Sequence, residues 1–132
     1  MDKIIKIVAA LFAVIVVAGV AVWYSGTAVQ NGNGTAAADT IFFFYGEECP
    51  HCHNVMPFIG NMTRKYPGVN IRVLEVWHNE TNQQIYQQAN AAAGIPVPGV
   101  PEIVLGKTVL IGERDIPAKL EGLIQDYLKK KS

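Results

Sequence analysis

The chain holds two cysteines, and only two residues separate them in Glu47-Glu48-Cys49-Pro50-His51-Cys52-His53. Two sulfurs at this spacing can run thiol–disulfide exchange, carry haem, join a zinc site or staple a loop. A helix beginning at Cys49 would favour the first. Its free backbone N–H groups and the positive end of its dipole would converge on that sulfur and favour the thiolate, the attacking species. His51 lies in the same turn and, when protonated, adds a cation. Cys52, one turn further in, would turn inward and be shielded. One sulfur then exchanges with a partner and the other resolves the mixed disulfide.

The other readings draw on the same residues. Cys49-x-x-Cys52-His53 is the spacing of covalent c-type haem, with His53 as axial ligand and Met56 or Met62 opposite. Both methionines, however, fit a helical core stripe. Zinc would need four ligands, with His51, His53 and His78 added to two cysteines. A structural disulfide closing so short a loop adds little stability. Glu47 and Glu48 either oppose the thiolate or are simply solvated. A redox-inactive binding module is the reading from outside enzymology.

The elements around the motif alternate between strand and helix. Thr40 to Tyr45 (TIFFFY) reads as a strand buried on both faces. From Cys49 a helix carries Cys52, Val55, Met56, Ile59 and Met62 on one stripe. Pro50 suits its first turn and Pro57 falls in its interior, where it should kink the helix. Tyr66-Pro67-Gly68 ends it. Asn70 to Trp77 reads as a second strand with Ile71, Val73 and Val76 inward. Glu80 to Ala93 reads as a polar helix with a thin stripe of Ile85, Ala89 and Ala92, closed by Gly94. Ile103 to Leu105 and Thr108 to Ile111 flank a Gly106-Lys107 hairpin turn. Asp115 is placed to cap a last helix, with Ile116, Leu120, Leu123, Ile124, Tyr127 and Leu128 inward. The order βαβαββα predicts an α/β domain, a four-stranded mixed sheet flanked by helices, over residues 39–132.

The remainder of the 132 residues reads differently. Ile7 to Tyr24 carries no charge, and about 18 to 20 apolar residues can span a bilayer. Lys3 and Lys6 precede the run and no basic residue follows until Arg64. The N-terminus is therefore expected in the cytoplasm and the domain outside. Residues 1–24 are thus expected to be a single-pass transmembrane helix, with a cleaved signal peptide as the alternative. Residues 25–38, small and polar, read as a flexible linker spanning roughly 20 Å. Sequons at Asn33, Asn61 and Asn79 fit export. Eleven basic residues balance eleven acidic ones, so no nucleic-acid surface is expected.

The motif and its surroundings resemble the thioredoxin superfamily, and within it the DsbA-type disulfide oxidases. The likeness runs from about Asp39 to Leu128. It is carried by C-P-H-C at Cys49 to Cys52, the apolar strand before it, Pro57, and PGVPEIVLGKTVLIG at residues 98–112. It implies a thioredoxin-like fold, catalysis by Cys49 and Cys52, and redox tuning by Pro50 and His51. It also implies a cis proline at Pro101, beside the sulfurs, with the Val100 backbone free to pair with an extended substrate. No cofactor beyond the redox-active disulfide is implied, and no metal. The implied substrates are protein thiols or disulfides, and a membrane redox partner, either a quinone-linked oxidase or an electron donor, restores the pair. Two departures stand out. Phe43 occupies the place of the family's buried acid, so proton transfer from Cys52 would need water, Glu47 or Glu48. The chain also has no room for the large helical insertion of DsbA.

Overall fold

The computed structural model describes Lys3 and residues 39–132. The expected membrane span and the linker at residues 25–38 lie outside the described residues. Among the described residues no helix is long and apolar enough to cross a membrane.

The element order is β1 (Thr40–Tyr45), α1 (Pro50–Lys65), β2 (Asn70–Glu75), α2 (Glu80–Ala93), β3 (Glu102–Leu105), β4 (Thr108–Ile111) and α3 (Asp115–Lys131). The sheet runs β2-β1-β3-β4. β1 is parallel to β2 and antiparallel to β3, and the β3–β4 hairpin is antiparallel, turning at Gly106 with φ 58°. This is the mixed sheet expected from the sequence. The unbroken apolar run of β1 follows from its central place, because both of its faces are covered.

The two faces hold separate cores. Ile41, Phe43 and Ile103 pack with Val55, Ile59 and Met62 of α1 and with Ile116, Leu120 and Ile124 of α3. Phe42, Phe44, Leu74, Val76 and Val104 pack with Ile85, Tyr86 and Ala89 of α2. Alternation along β1 and β3 thus sends neighbouring side chains to different helices.

Four expectations need correction. β2 stops at Glu75, not Trp77, because the Glu75 carboxylate accepts the backbone N–H groups of Trp77, His78 and Asn79 at 2.7–3.1 Å and turns the chain. Val73 is 44% exposed, since β2 is an edge strand and the helices do not reach it; Leu74 is the buried residue. Ala92 is exposed, and the inward positions of α2 are instead taken by Tyr86 and Asn90. Asp115 is not a cap. It lies inside the first turn of α3 and pairs with Lys119 at 2.9 Å, while Arg114 precedes the helix without a capping side chain.

Candidate active site

The site begins with a helix terminus. Cys49 is the N-cap of α1, in extended backbone (φ −82°, ψ 107°), and Pro50 opens the helix, where its missing N–H costs nothing. The Cys49 Sγ accepts the Cys52 N–H at 3.2 Å, the bond that a capping oxygen would normally take. Cys49 and Cys52 are joined as a disulfide with Cα atoms 5.3 Å apart. Cys49 keeps 4% of its surface exposed and Cys52 none, which is the expected asymmetry. Met62 is buried in the core and Met56 packs against it. The His53 Nε2–H donates to the Glu47 carbonyl at 2.6 Å and braces the approach to the helix.

The entry loop is held from behind. Gly46 O accepts the Cys49 N–H at 3.2 Å. The Trp77 ring lies against Gly46, so close that a Cβ there would meet ring carbons at 2.2–2.6 Å. Glu48 is turned aside onto His78, 2.7 Å from its Nε2, and by hydrogen bond and charge holds that imidazole above its ordinary range. Burial opposes the charge of Glu75, but N–H groups of His78, Trp77 and Glu47 outweigh it and hold the carboxyl below the usual range. Glu47, Glu48 and His78 offer ligand atoms within 4.8 Å of one another; all three are exposed.

Gly46→Ala is therefore expected to push the half-exposed Trp77 into solvent and cost about 1–3 kcal/mol. The melting temperature should fall by about 4–8 °C per kcal/mol and tryptophan emission should shift to the red. An unchanged melt would show that the packing of Trp77 on Gly46 is unimportant.

A groove at the start of α1 is formed by three stretches of chain: the first turn of that helix, the Val100–Pro101 segment and residues 111–115. His51, Val100, Pro101, Ile111, Gly112, Glu113, Arg114 and Asp115 line a cavity of about 340 Å³. The Val100–Pro101 peptide is cis, as the family resemblance implied. His51 and Val100, both assigned from sequence, thus meet at one groove with Pro101. Pro50 sits at the first helical position.

Two residues here were missed. Glu113, after Gly112 (φ 96°), lies 3.1 Å from His51 Nδ1 and accepts from Asn54 Nδ2 at 2.9 Å. Asn54, then His51, hold its carboxyl below the usual range. Nothing local marks it, because its partners are about 60 positions away. Glu102 is the second, a fully buried carboxyl directly after Pro101. Its one sequence signal was an acid directly before the apolar run Ile103 to Leu105. It does not replace the acid missing at Phe43. Phe43 and Ile103 face α1, whereas Glu102, like Val104, faces α2 across the sheet.

No family model and no curated protein matches the chain. Among solved structures it is similar to thioredoxin of Fasciola hepatica, with 21% identity and a TM-score of 0.50 over 66% of this chain and 78% of that one. It is also similar to a glutaredoxin of Archaeoglobus fulgidus, with 23% identity and a TM-score of 0.46 over 75% of this chain and 97% of that one. The first likeness gives the fold: it is thioredoxin-like.

Proposed function

We propose that the chain is an exported, membrane-tethered thiol–disulfide oxidoreductase that oxidises protein thiols. The observation that carries this reading is the Cys49–Cys52 disulfide with Cys49 as the N-cap of α1 and Cys52 fully buried. A substrate thiolate attacks Cys49 Sγ, the Cys49–Cys52 bond breaks, and Cys52 leaves as the thiolate. A second substrate thiolate then attacks the substrate sulfur of the mixed disulfide and releases Cys49. Two electrons have passed from substrate to the cysteine pair, and protons are exchanged with solvent. Released Cys49 sits at the helix terminus, where N–H groups and the dipole favour its thiolate and make it a good leaving group.

The oxidising direction is supported by His51 in the same first turn. As a cation it would stabilise the reduced pair further, and a pair stable when reduced is a strong oxidant. The apolar run at residues 7–24 supports the tether, and Lys3 and Lys6 support an extracytoplasmic domain. A membrane quinone-linked oxidase would return the pair to the disulfide. The second reading, a reductase fed by a membrane electron donor, uses the same residues in reverse.

Equilibrating the full chain in detergent micelles with glutathione decides the direction. A potential of about −120 to −180 mV is expected. A value near about −270 mV would overturn the oxidising reading and point to the electron donor.

A further inference from the structure

Among the described residues Glu102 is the one acid whose side chain is wholly buried. It opens β3 directly after Pro101 and bridges two parts of the fold. One carboxylate oxygen accepts from Asn90 Nδ2 of α2 at 2.7 Å, and the other accepts from the Gly99 N–H at 3.4 Å. Asn90 is itself 2% exposed and is pinned by a second bond to the Tyr86 carbonyl at 3.0 Å; its Oδ1 has no hydrogen-bond partner. The groups around the carboxyl are Tyr86 and Asn90 from α2, Phe44 from β1 and Ile111 from β4, none of them a cation. A leucine would fill such a place without the desolvation cost of a carboxyl. What the carboxyl does that leucine cannot is tie the buried Asn90 amide to Gly99, two residues before Pro101.

We propose that Glu102 is a positioning residue for thiol–disulfide exchange. Through the Gly99 N–H it holds the Gly99-Val100-Pro101 segment in the form that pairs with the backbone of a peptide substrate, and its ionisation tightens that hold. The proposal rests on the exchange reading above. A carboxylate accepts hydrogen bonds about twice as strongly as a neutral group, so a proton on Glu102 loosens the segment.

Burial pushes the Glu102 carboxyl up, against the opposing bonds from Asn90 and Gly99. Burial, together with the charge of Glu102, pushes Tyr86 up to about 12, so Tyr86 stays neutral throughout the range in question. Because the folded value is raised, the contribution of Glu102 to stability is fully present below its ordinary value of 4.5. That contribution is lost as pH rises through the folded value. Peptide pairing should move the other way and strengthen as pH rises. A merely structural role cannot produce these opposite trends.

The test uses the full chain in detergent micelles, turned over with excess hydroxyethyl disulfide as the oxidant that restores the Cys49–Cys52 bond, on a short reduced cysteine peptide or on glutathione, which has too little backbone to pair along the segment. The KM for peptide, referred to that for glutathione, should rise by about tenfold from neutral to acid pH, the loss of one charge-assisted hydrogen bond. In Glu102→Gln it should stay at the weak level throughout, with kcat unchanged and with a smaller fall in stability as pH rises, the remainder belonging to His78. A Glu102→Gln profile that follows the unmodified chain would overturn the proposal, as would equal changes for peptide and glutathione. Should that variant fail to fold, the Gly99 amide resonance of the unmodified chain must titrate together with the Glu102 carboxyl; a Gly99 resonance that ignores it is equally fatal. Failure of the unmodified chain to react with either thiol would instead remove the exchange reading itself.

Discussion

Cys52→Ala should turn the chain into a covalent trap. Its free Cys49 thiolate attacks a disulfide-bonded reporter peptide, one sulfur of the peptide leaves as a thiolate, and a mixed disulfide remains. In the unmodified protein the buried Cys52 lies one helical turn away and, in the proposed cycle, resolves that adduct. Without it, an adduct of one peptide per chain should accumulate and dissolve on adding dithiothreitol. Cys49→Ala should form none, because Cys52 has no exposed surface for an incoming sulfur to reach. Its exchange rate should fall by on the order of a thousandfold or more, as expected when a nucleophile is removed. Mass spectrometry under non-reducing conditions reads both results. Equal adducts through either cysteine would sink the assignment of roles.

The second large effect concerns Phe43, which stands where the family resemblance leads one to look for an acid. It is fully buried, paired with Val73 on β2 and Ile103 on β3, and packed into the core shared with α1 and α3. Phe43→Ala should cost about 3–5 kcal/mol. Domains of this kind are stable by only about 5–15 kcal/mol, so the denaturation midpoint should drop sharply. The folded fraction should nevertheless still form the trapped adduct when Cys52→Ala is added, because Phe43 has no group that moves a proton. A folded double variant that forms no adduct would show that Phe43 shapes the reacting sulfurs as well as the core. Of the two acids before the motif, the Glu48 carboxylate is already engaged by His78.

The part of the site that lies within one turn of chain was readable in advance. Cys49, Pro50, His51 and Cys52 are contiguous, and a helix start after an apolar strand is a local event. The stripe Val55, Ile59, Met62 follows from helical period alone. The uninterrupted TIFFFY run implied a strand covered on both sides, and β1 is central. Less was legible in α2. There, period alone favoured Ala92, yet the sheet turns Tyr86 and Asn90 inward, because Glu102 beneath the helix supplies a partner for an amide.

Sequence therefore settled the order of elements, the motif and its helix, all of which rest on interactions between residues a few positions apart. Tertiary structure alone decided which distant groups meet that motif. The hairpin carries Glu113 to His51, the turn after β2 lays Trp77 on Gly46, and the sheet brings Pro101 to the same groove. It also decided the face of Glu102, since a one-residue difference in strand register sends a side chain to the other helix layer. Such contacts depend on chain segments separated by about 30 to 60 residues, and no local preference encodes them.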